Sequence, residues 1–153
     1  MLLTTTISAV LVLALSGLAD RAISAWQYSH DRQELVYQGN FAMSRMIATL
    51  RKAGSITTPP DNTPGALLEV VLDLAVDPVP APVRYQVTGN NTLHETMHGQ
   101  DHIIAQAPRL TLQVTRLTPV DANGTQVELT ITLGNSADAP LTFTSEVMLG
   151  VGG

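Results

Sequence analysis

No cysteine occurs anywhere in the 153 residues. Disulfide staples, thiol catalysis, CxxC redox chemistry and cysteine-based zinc sites are therefore excluded, while the compartment stays open, since a domain can fold without disulfides anywhere. Aromatic residues make up only 4% of the chain and charged residues only 14%. The few charges are unevenly spread. Residues 20–53 carry five bases (Arg21, Arg32, Arg45, Arg51, Lys52) against three acids, whereas residues 54–153 carry three bases (Arg84, Arg109, Arg116) against ten acids. Nucleic-acid backbones are bound by clustered Lys and Arg, which this acidic part lacks, so nucleic acid is excluded as a partner. Catalytic fingerprints are missing as well: there is no G-x-S-x-G, P-loop, H-E-x-x-H or dinucleotide-binding glycine motif. No nucleophile stands beside a base in the order of residues, and the chain is read as a non-enzyme without a cofactor.

What the chain does have is a long uncharged start. Met1 to Ala19 contains no charged residue, and as a helix its length reaches ~28 Å, about the thickness of a bilayer's hydrocarbon core. A cleavable signal peptide would need a basic n-region, which Met1 to Ser8 lacks, although Gly17 and Ala19 would suit cleavage before Asp20. A buried core helix is rarely this long and uncharged. A retained membrane helix over 1–19 fits best, its Ser and Thr hydroxyls bonding back to helix carbonyls or across to a neighbour. The same helix is expected to continue as an amphipathic half over 20–54. Val36, Gly39, Met43, Met46, Leu50 and Ala53 recur at spacings of three and four and make a packing seam, with Arg45, Arg51 and Lys52 off it. Gly39 marks a close approach or a bend, Arg51-Lys52 suits the negative end of the helix dipole, and Gly54 closes the helix.

The segment Ser55 to Gly65 (SITTPPDNTPG) reads as a breaker-rich loop, after which the period changes from 3.6 to 2. Leu68, Val70, Leu72, Leu74 and Val76 alternate with a mixed face. The strand Val83-Tyr85-Val87 leads through a Gly89-Asn90-Asn91 hairpin signal to Leu93-Glu95-Met97. Residues 98–108 read as irregular or a short helical turn. Alternating runs follow at Leu110-Leu112-Val114, at Val127-Leu129-Ile131-Leu133, and at Leu141-Phe143-Ser145-Val147-Leu149. One-sided strands on short turns predict an antiparallel sheet over 55–153, with the helical seam covering its buried face. The fold class is α+β: a long N-terminal helix, apolar then amphipathic, packed on an antiparallel β-sheet.

Two constellations invite a metal reading. His94, His98 and His102 would share one face of a helix, but on an extended strand four residues span ~13 Å, too far for one ion. Asp121-Ala122-Asn123-Gly124 starts like a calcium loop but lacks the late glutamate at the right offset, and an Asn-Gly hairpin turn explains it. No metal site is assigned.

The order of apolar helix, amphipathic extension, breaker loop and antiparallel sheet resembles the type IV pilin and pseudopilin family. Gln38-Gly39-Asn40-Phe41-Ala42-Met43 through Leu50-Arg51-Lys52-Ala53-Gly54 resembles the end of the long helix in its minor subunits. Thr144-Ser145-Glu146-Val147-Met148-Leu149 resembles their last strand. The likeness is closest to minor pilins of the W type and J-type pseudopilins of type II secretion. It implies a structural subunit held as a single-pass protein of the bacterial inner membrane, its β-domain in the periplasm, before joining a fibre or fibre tip at the cell surface. The implied partners are other pilin or pseudopilin subunits, through the helix, and inner-membrane lipid. The alternative is a membrane-anchored or secreted binding or adhesin-like β-domain with no pilus role.

The family's hallmark of a basic leader, a glycine, a phenylalanine at the mature start and a glutamate four residues on does not precede Met1-Leu2-Leu3-Thr4 in this sequence. The expectation is that the reading frame extends upstream. Sequencing ~30 codons before Met1, the length of a short targeting leader, should reveal a short basic leader and then Gly-Phe-[Ser/Thr]-Leu-[Ile/Val/Leu]-Glu immediately before Met1; an in-frame stop without a leader is the contrary result.

Overall fold

The computed structural model describes residues 2–73, 81–117, 124–135 and 139–150, with side chains from Val12 to Leu149 among them. With no proline before position 59, the chain opens as one helix, α1 (Leu2–Leu50). Among the described residues nine strands follow: β1 (Ala53–Thr58), β2 (Pro64–Gly65), β3 (Leu67–Leu72), β4 (Pro82–Val87), β5 (Thr92–Met97), β6 (Gln100–Gln106), β7 (Arg109–Leu117), β8 (Gly124–Gly134) and β9 (Leu141–Gly150). The chain divides into two units, Met1–Glu34 and Leu35–Gly153.

Within the first unit, Ser16 and Ser24 return their hydroxyls to the carbonyls four residues back, at 2.8 and 2.9 Å, as helical serines do when no other partner is near. Val12, Leu13, Leu15, Leu18, Ile23 and Trp26 are exposed, and the Trp26 ring stacks on His30 one turn on. Among the described residues no helix is long and apolar enough to cross a membrane. Of the span expected over 1–19, the side chains of residues 1–11 lie outside the described set.

The second unit is α+β, but its strands form two antiparallel sheets where one was expected. The first runs β1-β3-β4-β5-β6 and the second β2-β7-β8-β9. Alternation reports which face of a strand is buried and is silent on which strand it pairs with, so the division is invisible in the sequence pattern. The buried positions themselves follow the alternation: Leu68, Val70, Leu72, Val83, Tyr85 and Leu93 in the first sheet, and Leu110, Leu112, Val114, Val127, Leu129, Ile131 and Leu133 in the second. Together with Leu35, Ala42, Met43, Met46 and Leu50 of α1 they make one hydrophobic core.

The helix reaches both sheets. Gln38 Oε1 accepts the backbone N–H of Gln106 on β6 at 2.8 Å. One residue further on, Gly39 faces Phe143 of β9, whose ring occupies the space a Cβ would take. Glycine in mid-helix costs about 1 kcal/mol against alanine, and here close approach of an aromatic ring explains it. Arg116 of β7 ties the sheets at another edge. Its Nη1 donates to the Ile56 carbonyl of β1 at 3.2 Å, and its Nε lies 2.7 Å from Asp61 Oδ1, an ion pair by distance without a hydrogen bond along Nε–H.

Three boundaries differ from expectation. The helix stops at Leu50; Arg51 and Lys52 form a turn, with Lys52 N–H bonded to the Thr49 carbonyl at 3.0 Å, and Ala53 and Gly54 belong to β1 instead of the helix end. The breaker-rich segment is partly strand, because Ser55 to Thr58 pair with Val71 to Glu69 of β3 and Pro64-Gly65 pair with β7. Residues 100–106 are strand β6, joined to β5 by a two-residue turn in which His98 and Gly99 both take positive φ (51° and 76°). That is the twist a tight hairpin requires, supplied here by glycine and by one of the few other residue types that tolerate it. The Gly89-Asn90-Asn91 hairpin is where it was expected: Thr88 N–H bonds the Thr92 carbonyl at 2.9 Å, and Asn91 takes φ 55°. The strand extension expected at Leu74 and Val76 and the turn at Asp121-Ala122-Asn123 lie outside the described residues.

The packing predicts a contrast between two aspartates. Met46 of α1 is fully buried in the core, so Met46→Asp should lower unfolding free energy by about 4 kcal/mol. Thr130 stands opposite Thr144 on the outward face of β8, so Thr130→Asp should cost at most about 1 kcal/mol. Urea midpoints measure both; coincident midpoints would mean that the helix does not cover the sheets.

Candidate functional site

Two strands and one helical face converge on a buried carboxylate. In the β4–β5 ladder Tyr85 stands directly opposite Glu95, both on the face carrying Val83 and Leu93. Across from them α1 presents Arg45 and Thr49, four residues apart and hence on one face of the helix. The Tyr85 hydroxyl donates to Glu95 Oε1 at 2.5 Å, and Arg45 sends Nε (2.7 Å) and Nη2 (2.5 Å) to Oε2. Thr49 Oγ1 lies 2.7 Å from the Tyr85 oxygen. Because the phenol spends its proton on the carboxylate, the threonine is the donor in that pair, and a chain runs Thr49 to Tyr85 to Glu95 with Arg45 closing it.

Glu95 is 2% exposed, whereas the side chain of its partner Arg45 is 45% exposed. A carboxylate taken out of water costs several kcal/mol unless both oxygens are satisfied, and here each one is. Burial pushes the Tyr85 hydroxyl well above its ordinary 10.0, and its hydrogen bond to Glu95 pushes in the same direction. The hydrogen bond to Glu95 holds the Arg45 guanidinium still more firmly protonated, with partial burial opposing it.

Beside this network a cleft of about 390 Å³ opens between the end of the helix and the first sheet. One wall is Arg45, Ala48 and Thr49 of the helix with Lys52 of the turn after it; the other is Leu72, Val83, Glu95 and Met97 of the strands with His98 of the β5–β6 turn. The spacing 45, 48, 49 puts the three helical residues on one face, so polar groups and a pocket wall coincide there.

The expected packing seam is brought together in part. Gly39, Met43, Met46 and Leu50 are buried on the sheets. Val36 is 39% exposed and its place is taken by Leu35; Ala53 lies beyond the helix; and Ala42, absent from the expected seam, is fully buried.

The three histidines fall on separate elements: His94 on β5, His98 in the turn, His102 on β6. Among the described residues no three His, Cys, Asp or Glu side chains are grouped as metal ligands. His94 instead bridges Thr92 Oγ1 (2.7 Å to Nε2) and Asp101 Oδ2 (2.6 Å from Nδ1), while Thr96 donates to Asp101 Oδ1 at 3.2 Å. A hydroxyl is thus paired with a base after all, in the order of a nucleophilic triad. The order of residues does not disclose this pairing, because Asp101 is delivered by β6, whose hairpin carries no Asn-Gly signal. Thr92 is 5% exposed and its oxygen already lies 2.6 Å from Thr88 Oγ1, which leaves no place for a carbonyl to be attacked. The network orders β4, β5 and β6.

Compared with protein-family models, with curated proteins and with solved structures, the chain matches none.

The raised phenol makes a signed prediction. A group whose folded-state pKa is raised contributes stability that is fully present below its unfolded value and is lost as pH climbs towards the folded one. Tyr85→Phe, which leaves Glu95 Oε1 unsatisfied, should cost about 2 kcal/mol at pH 7. The gap between wild type and variant should narrow above pH ~10, where an unfolded tyrosine ionises. Urea unfolding at a series of pH values from neutral to alkaline checks it, and a gap that does not change with pH is the contrary result.

Proposed function

We propose that the protein is a minor pilin-like or pseudopilin-like structural subunit, held at a membrane and assembled with like subunits through its N-terminal helix. One observation carries the reading: Val12, Leu13, Leu15 and Leu18 are all exposed, Leu13 by 73%. At 100° per residue these positions point to different sides of the helix, so no single groove could cover them. Lipid around the segment, or several neighbouring helices, would. Transfer from lipid to a bundle of like helices leaves apolar area buried in both states, so packing and interhelical hydrogen bonds must drive it. Ser16 and Ser24, now bonded to their own helix, are suited to that exchange. The further support is the order of elements, a long helix whose later turns cover an antiparallel domain. In this reading the protein is a non-enzymatic single-pass protein of the bacterial inner membrane, with the β-domain in the periplasm or on a fibre tip.

A second reading, an anchored or secreted binding domain without a role in assembly, is favoured by the cleft beside Arg45. Deleting the gene in its own host separates the two. Loss of piliation or of type II secretion, with the subunit present in purified fibres, is expected; an unchanged phenotype and fibres free of the subunit would overturn the assembly reading.

A further inference from the structure

The cleft at the end of α1 combines apolar side chains with convergent polar and charged ones, and its volume of about 390 Å³ is within the range of ligand pockets. Its charges decide what would enter. Glu95, the acid lining it, has both oxygens engaged by Arg45 and Tyr85 and is neutralised by the guanidinium. Lys52, at the rim, has no acidic partner among the described residues. The carbonyl end of the helix contributes roughly half a negative charge, less than the full positive charge of the ammonium. Among the side chains lining the cleft two bases, Arg45 and Lys52, stand against one acid, Glu95, in a domain that is otherwise acidic, with three bases against ten acids over residues 54–153. Below the rim, Leu72, Val83 and Met97 offer an apolar floor.

We infer that this cleft binds a small organic anion, an apolar body carrying a carboxylate, with the carboxylate on Lys52 and the exposed edge of Arg45 and the apolar body against Met97, Leu72 and Val83. The inference concerns the globular unit alone and stands independently of assembly through the helix. A neutral molecule of the same shape would fill the floor but leave the ammonium unanswered. A dianion without an apolar body would meet the rim and leave the floor empty.

Benzoate and benzyl alcohol make a matched pair of probes. The full chain in non-ionic detergent, labelled at the methionine methyls, gives separate reporters: Met97 in the cleft, Met148 exposed on β9, and Met43 and Met46 in the core. Benzoate should shift the Met97 methyl saturably, with a dissociation constant on the order of 1 mM, while Met148 stays still. Benzyl alcohol should bind about tenfold more weakly, and Lys52→Glu should weaken benzoate by about tenfold, with the Met43 and Met46 signals unchanged to show that the core is intact. Ala48→Trp, which fills the cleft from the helix, should abolish the shift. The inference is overturned by the absence of a saturable Met97 shift, by equal binding of the alcohol and the acid, or by Lys52→Glu and Ala48→Trp variants that fold and bind benzoate as the wild type does.

Discussion

A carboxylate with almost no access to water needs a donor for each oxygen, and Glu95 draws its donors from two different elements. Tyr85 comes from the neighbouring strand and Arg45 from the helix, so the group is satisfied only when helix and sheet are in register. Apolar contacts between Met46 or Leu50 and the strands would tolerate a small slide of the helix along its axis, since hydrophobic burial is non-directional. Hydrogen bonds at 2.5 to 2.7 Å would not. The network thus contributes little net stability, as buried ion pairs generally do, and acts mainly on position. Position is what the remaining features depend on, including the seating of Gly39 against Phe143 and the alignment of Arg45, Thr49 and Lys52 along one cleft.

How much of this could be read from the residues follows from what each signal encodes. Period-2 alternation encodes a buried face, and Leu68-Val70-Leu72 and Val127 to Leu133 are buried as read. It does not encode partners, so one sheet and two sheets give the same pattern. A spacing of threes and fours encodes a helical stripe without fixing its phase to better than a residue, so it does not separate Val36 from the buried Leu35 or disclose the burial of Ala42. Ala53 continued the arithmetic of the stripe beyond the point where pairing with Leu72 drew the backbone into a strand. Strand β6 was hidden because its hairpin turns on His98-Gly99 rather than on Asn-Gly. Glu95 was in phase with Leu93 and Met97 and opposite Tyr85, the one available sign that a charge was being taken inside; what the residue order could not supply was the guanidinium fifty positions earlier.

The charge distribution connects the site to the proposed role. Residues 20–53 carry five bases against three acids and residues 54–153 three bases against ten acids, and Arg45–Glu95 joins a base of the first stretch to a buried acid of the second. Elsewhere the pairs are peripheral: Arg84 with Glu69 across β3 and β4, and Arg116 with Asp61 at the sheet edge. Exposed pairs of that kind are worth less than about 1 kcal/mol each, so the acidic surface is held by its core, not by its salt bridges.

A helix that reaches both sheets also dictates an order of events. Helix turns form locally within about a microsecond, but the core that holds Met43, Met46 and Leu50 also holds Val127, Leu129, Ile131 and Leu133 of β8, some eighty residues later. Until β8 has been synthesised and paired with β7, the second sheet cannot close against the helix. Chains dominated by such distant contacts fold slowly and expose apolar surface while they do so. For a protein translated from its apolar end, this places the most vulnerable moment of its life after the helix has emerged and before the last two strands have.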